Sequence, residues 1–215
     1  MAEIIKISGG GSNCYLVTEN GKSILIDTGM KGKRNAIVKA LEGKNVTLII
    51  LTHGHIDHVQ NAAYLSKKLN APVAIHRLDI PLLKDNLCRP MKSKGFPGNL
   101  VRFFSEQSAK GVKLEDSKPS VFLKDGDSLK PYGIDATVIG LPGHTAGSIG
   151  ILVGKNDFIV GDALMHMFTA SASLLYEDRE QMIQSAKRIS KMGSRKIYFG
   201  HGAPVANKQW VKRLS

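Results

Sequence analysis

The stretch Leu48-Ile49-Ile50-Leu51-Thr52-His53-Gly54-His55-Ile56-Asp57-His58 decides how the rest of the chain is read. Its first four residues are an uninterrupted apolar run, the pattern of a short strand buried on both faces. The residues that follow pack three histidines and a carboxylate into one loop. A buried strand ending in such a loop gives candidate metal donors a rigid root.

Three other apolar segments end the same way: Ile139-Gly140-Leu141-Pro142-Gly143-His144, Ile159-Val160-Gly161-Asp162 and Tyr198-Phe199-Gly200-His201. Each sets a ligand-type side chain directly after a glycine that lets the backbone turn tightly. Imidazole nitrogen and carboxylate oxygen suit borderline Zn²⁺, and Fe and Mn accept the same donors. His53, His55, Asp57, His58, His144, Asp162 and His201 are therefore expected to converge on two divalent ions, zinc first among them. With its two oxygens, Asp162 can bridge metals about 3.5 to 4 Å apart. A lone His-x-His pair would be weak grounds for a metal site, but the full ordered set is hard to obtain by chance.

The flanking sequence supplies a scaffold. Strands are expected at Ile4 to Ser8, Cys14 to Thr18 and Ser23 to Ile26, with Asn20-Gly21 as a type I′ hairpin turn. Helical spacing predicts helices over Arg34 to Leu41, His58 to Leu69 and Glu177 to Met192, the last acidic at its start and basic at its end. Further strands are read at Val73 to Ile75, Ile134 to Ile139, Ile149 to Val153, Phe158 to Val160 and Ile197 to Phe199. Residues 77–118 are the least regular part. They read as an insertion of short helices near the site, with Pro81, Pro90, Pro97 and a Lys/Arg excess.

The 215 residues, 42% of them apolar, suffice for one domain over 1–215 and not for two with comfortable cores. A net charge of +12 favours anionic partners without choosing among them. No run approaches the roughly 20 apolar residues of a membrane span, and the opening Met1 to Ile7 alternates like a strand and is not read as an export signal. Cys14 and Cys88 fit neither a disulfide framework nor a CxxC site and are read as buried small hydrophobes. A cytoplasmic protein without a membrane partner is the expectation.

The sequence resembles the metallo-β-lactamase superfamily, in particular its glyoxalase II-like hydrolases, from Asp27-Thr28-Gly29 to Gly200-His201-Gly202. The resemblance implies an α/β fold, a four-layer αββα sandwich with the metals at one edge. It also implies roles: His53, His55 and His144 on the first ion, Asp57, His58 and His201 on the second, Asp162 between them, and Asp27 orienting a ligand histidine. The implied reaction is hydrolysis, a metal-activated hydroxide attacking an acyl ester, thioester or lactone-type carbonyl, with Asp57 as the catalytic proton acceptor.

Departures from relatives narrow the reading. Many zinc β-lactamases carry Cys where Asp162 stands, acylhomoserine lactonases carry Tyr where Met165 stands, and the Gly-Cys/Ala-Arg run of glyoxalase II is replaced by Ala163 to Ala170. Met165, His166 and Phe168 are substrate-binding candidates. Met165, Met167 and Phe168, with Met91, Phe96, Phe103 and Phe104, either line an acyl channel or, as the blander reading has it, mostly close the core, and His166 is read as an exposed or pocket-wall residue. RNA or DNA phosphodiesterase and mononuclear iron dioxygenase are the alternatives. Nucleic acid is not the expected partner, because the lysines are spread out and few aromatics interleave them. A small, anionic acyl molecule is.

Overall fold

The computed structural model describes residues 2–167 and 169–206. Its first half is a six-stranded sheet. Strands β1 (Glu3–Ser8), β2 (Asn13–Glu19) and β3 (Lys22–Ile26) form an antiparallel meander. The β2–β3 turn is Asn20-Gly21, with φ of 48° and 76°, the left-handed pair that a type I′ turn requires. Helix α1 (Arg34–Ala40) then crosses to β4 (Val46–Ile50), parallel to β3.

The next predicted helix is split into α2 (Ile56–Val59) and α3 (Ala62–Leu69). The break falls at Asn61, which is fully buried. Its Nδ2 donates to the Thr28 and Met30 carbonyls at 2.8 and 2.9 Å, and its Oδ1 accepts from Arg34 Nε at 2.9 Å. Bonding across the chain thus outweighs helical continuity here. Strand β5 (Val73–Ile75) follows, parallel to β4.

Segment 77–118 holds α4 (Ile80–Lys84), β6 (Lys92–Ser93) and α5 (Gly95–Ala109). At 15 residues, α5 is a long helix rather than the short ones expected. Strand β7 (Val121–Phe122) closes the first sheet beside β5.

The second sheet is built from β8 (Ala136–Gly140), β9 (Ile149–Val153) and β10 (Asp157–Gly161). Two small two-stranded sheets lie beside it: the hairpin β11 (Leu164–His166) with β12 (Ala170–Ala172), and the antiparallel pair of β13 (Leu175–Tyr176) with the distant β6. Helix α6 (Arg179–Lys191) is capped by Asp178, whose carboxylate accepts from the Gln181 amide at 3.0 Å. Strands β14 (Lys196–Phe199) and β15 (Val205–Ala206) complete the sheet in the order β15-β14-β10-β9-β8.

Strand alternation sorts the core into layers. Tyr15, Val17, Ile24, Ile26, Leu48 and Ile50 of the first sheet meet Val138, Ile151, Ile159 and Tyr198 of the second. Their neighbours Leu16, Leu25, Ile49 and Leu51 face Ile37, Ala62 and Leu65 on α1 and α3. On the far side, Phe158, Val160, Ile197 and Phe199 pack on Ala186 and Ile189 of α6. Helices, sheet, sheet and helix therefore stack as the four-layer αββα sandwich. Because Ile49 and its neighbours are buried on both faces, truncation of such a side chain to Ala is worth about 2–5 kcal/mol.

Cys14 is buried, but Cys88, expected to be buried too, is exposed just beyond α4. Among the described residues, no helix is long and apolar enough to cross a membrane.

Candidate metal centre

Four strand ends of the sandwich meet at one edge, and the predicted donors meet with them. Ligand-type atoms lying within 4.8 Å of one another group His53 with His55 and His144, His53 with His58 and Asp162, and Asp57 with His58 and His201. Asp162 stands between the first and last groups. Its Oδ2 is 3.6 Å from His144 Nε2 and 3.1 Å from His201 Nε2, and its Oδ1 is 3.5 Å from His58 Nε2.

Each histidine except His55 spends one ring nitrogen on a protein partner and turns the other inward. Thr52 Oγ1 donates to Asp27 Oδ2 at 2.8 Å and so accepts from His53 Nδ1 at 3.1 Å. His58 Nδ1 donates to Asp27 Oδ2 at 2.8 Å. His144 Nδ1 donates to the Leu175 carbonyl, and His201 Nδ1 to that of Gly11, both at 2.8 Å. Such bonds fix the tautomer and ring direction of a ligand histidine. His55 Nδ1 itself faces His144 Nε2 at 2.9 Å.

The donors fit a metal on two further counts. His53 Nε2, His58 Nε2 and Asp162 Oδ1 are buried without a hydrogen-bond partner, a costly arrangement unless something binds there. Burial also holds His53, His55 and His144 below the ordinary imidazole pKa, keeping them neutral with a lone pair available. His201 is pushed up to about 12 by Asp162. Burial would lower His58, but Asp57, Asp162 and Asp27 override it and raise it to about 9. Burial would likewise raise the Asp57 and Asp162 carboxyls, yet His58 and His201 hold both below the usual carboxylate range. Two carboxylates facing two cationic imidazoles is an arrangement that divalent ions would replace.

The whole set is not equally enclosed. His53, His55, His58 and His144 are buried, whereas the Asp57 and His201 side chains are 28% and 23% exposed. The open side of the cluster is therefore theirs.

The family model described as the metallo-beta-lactamase superfamily matches residues 7–201. The chain belongs to the metallo-beta-lactamase superfamily. A probable metallo-hydrolase of Methanocaldococcus jannaschii is 32% identical over 209 residues, which span 93% of this chain and 92% of the relative. Hydroxyacylglutathione hydrolase 1 of Vibrio vulnificus is 29% identical over 92% of this chain and 64% of its own length. Two solved structures share the fold. TTHA1623 in a di-iron-bound form has a TM-score of 0.71 at 24% identity, covering 99% of this chain and 98% of its own. The BLEG-1 B3 metallo-beta-lactamase has a TM-score of 0.76 at 20% identity, covering 99% and 97%. The chain is thus a metallo-hydrolase of the superfamily, with a His/Asp cluster able to hold metal.

The superfamily site here rests on residues that sequence reasoning passed over. Asp79 is wholly buried. It accepts from the Gly54 amide at 3.0 Å, the Thr145 hydroxyl at 2.7 Å, the Gly147 amide at 2.9 Å and Arg89 Nη2 at 2.7 Å. Glu177, read as the acidic start of a helix, instead pairs with Arg89 Nε at 2.9 Å and accepts from the Ala146 amide at 2.9 Å. Asn13 and Tyr15 anchor the His201 loop through the Phe199 carbonyl, at 2.9 and 2.6 Å. A short polar residue beside a buried strand was the available signal for Asn13; nothing local marked Asp79.

The substrate-binding candidates scatter. Met165 is buried, and His166 belongs to none of the donor groups; its Nδ1 donates to the Ala203 carbonyl at 2.7 Å. Phe168 lies outside the described residues. Phe96, Phe103, Phe104 and Met167 do not close the core as the blander reading had it: they are 80%, 54%, 60% and 62% exposed. His76 accepts from the Leu78 amide at 3.3 Å.

Proposed function

We propose that the chain is a binuclear, zinc-dependent hydrolase of acyl ester or thioester bonds, acting in the cytoplasm on a small anionic substrate. One observation carries the reading: Asp162 lies within 3.6 Å of donors from both histidine groups, where it can serve two ions at once.

When bound, a pair of divalent ions lowers the pKa of shared water from about 15.7 toward 7 and polarises a carbonyl oxygen. His53, His55 and His144 would hold one ion and Asp57, His58 and His201 the other, with Asp162 between them. Asp57 sits on the open side, so its carboxylate both faces an arriving acyl group and is placed to take the proton of the attacking water. Asp27 keeps His58 aimed inward through the transfer. Among five imidazoles and two carboxylates zinc is the favoured occupant. The di-iron form of TTHA1623 makes iron the competing one.

The name of the Vibrio vulnificus relative, a hydroxyacylglutathione hydrolase, supports an acyl thioester as the bond class. Free Cys14 and Cys88 fit a reducing compartment, and the +12 charge fits an anionic acyl or leaving group. The test is a panel of acyl thioesters and esters assayed by thiol or acid release with zinc-loaded and metal-stripped protein. Turnover that needs metal and disappears in Asp57→Asn is expected. Equal turnover by stripped protein, or cleavage of RNA in place of acyl bonds, would overturn the proposal.

A further inference from the structure

Helix α5 is turned inside out relative to an ordinary surface helix. Its buried positions are the small residues Gly98 and Ala109. Phe96, Leu100, Phe103 and Phe104 recur at the i, i+4, i+7, i+8 spacing that makes one stripe, and they are 80%, 48%, 54% and 60% exposed. An apolar stripe pointing into solvent is not explained by the core, and on a soluble surface it marks a contact.

Charge says what kind of contact. Lys92 and Lys94 precede the helix and Lys110 and Lys113 follow it, all exposed. The helix carries no acid in its first turn, and its N-terminal flank is the lysine Lys94, a placement that the helix dipole opposes. Its one acidic side chain, Glu106, is engaged with Arg102 at 3.8 Å. An aromatic stripe with lysines at both ends matches a bilayer surface bearing acidic headgroups. It does not match a second copy of this chain, because pairing two such helices in either direction sets lysines against lysines.

We propose that α5 docks the protein on an anionic lipid surface, with Phe96, Leu100, Phe103 and Phe104 at the headgroup–acyl boundary and Lys92, Lys94, Lys110 and Lys113 on the headgroups. The helix lies in the interface and spans nothing, so the lack of a long apolar segment, from which no membrane partner was expected, does not bear on it. The start of α5 is also linked to the metal centre. The Lys94 amide donates to the Leu174 carbonyl at 3.0 Å, β6 pairs with β13, and the Leu175 carbonyl of β13 holds His144. The proposal does not depend on which bond the metal centre cleaves.

The experiment is flotation of the full, metal-loaded chain with vesicles of phosphatidylcholine alone and of phosphatidylcholine mixed with phosphatidylglycerol. Binding to the mixed vesicles is expected, lost at high salt, and lowered about fivefold for each of Lys94→Gln and Lys110→Gln. Phe96→Ser with Phe103→Ser should abolish it while leaving the circular dichroism spectrum and the metal content unchanged. Equal binding to both vesicle types, or undiminished binding by the double serine variant, would overturn the proposal. So would a stable dimer in light scattering that the double variant turns into monomer, with no vesicle binding by either.

Discussion

Asp79 Oδ2 accepts from the Thr145 hydroxyl at 2.7 Å, so a carboxylate from the start of the 77–118 segment reaches into the loop that carries His144. The same oxygen accepts from the Gly54 amide, between His53 and His55. One buried group thereby ties together the two loops that carry His53, His55 and His144.

Asp79→Ala leaves Arg89 Nη2, the Thr145 hydroxyl and the Gly54 and Gly147 amides without this acceptor, while Arg89 keeps Glu177. Breaking such a buried pair is expected to cost about 3–5 kcal/mol, read as a lower thermal midpoint. Asp79→Asn keeps the shape but presents N–H groups to donors. It should weaken metal binding about 10- to 100-fold in chelator competition; unchanged affinity would show that the loops hold their spacing without it.

Asp27 has a φ of 59° and binds Thr52 and His58 together. Replacing it with Asn removes the acceptor that fixes the His58 tautomer. The expected result is early loss of the ion held by Asp57, His58 and His201, while the ion on His53, His55 and His144 persists. Stepwise chelator titration followed by elemental analysis reads the order of release, and simultaneous release would contradict it.

At Gly200, an added Cβ would run into Asp162 Oδ1 and approach His58 Cε1. Gly200→Ala should therefore fold, because nothing in the core is touched, yet bind less metal and lose most activity. A variant with full metal content would show that the Asp162 carboxylate has room to move aside.

In metal-free protein the site itself makes stability depend on pH. His58, raised to about 9 from the ordinary 6.5, stabilises the fold fully below about pH 6.5 and loses that contribution as the pH rises through 9. Asp57 and Asp162, held low, contribute above the ordinary carboxylate value of about 4 and lose it as the pH falls further. His53, His55 and His144, held low by burial, lose stability as the pH falls below about 6.5, so the thermal midpoint of metal-free protein should peak near pH 6.5. Asp57→Asn should reduce the alkaline limb more than Asp27→Asn does, because Asp57 is the stronger of the two influences on His58, and a limb unchanged in both would assign it to other groups.

The sandwich was legible because its strands declare themselves: Leu48 to Leu51 is buried on both faces, and Asn20-Gly21 permits one kind of turn. Donors were legible because they cluster at strand ends, His53 to His58 in one loop and His144, Asp162 and His201 each directly after a glycine. The split at Asn61 was not, since its cause lies in carbonyls thirty residues away. Strands of two or three residues such as β6 and β13 offer no alternation to read. Phe96, Phe103 and Phe104 have the spacing of a helix stripe, but spacing does not say whether a stripe faces core or solvent. Asp79 carries no motif at all; its importance arises only when the fold brings residues 54, 79 and 145 together.

Asp162, within 3.6 Å of donors from both histidine groups, is expected to join two ions in one site. Elemental analysis of metal-loaded protein, wild type beside Asp162→Ala, measures it directly. Two ions per chain in the wild type and a loss of metal together with acyl-hydrolase activity in Asp162→Ala are predicted. A wild type that holds one ion however much metal is supplied, or an Asp162→Ala variant that keeps two, would contradict it.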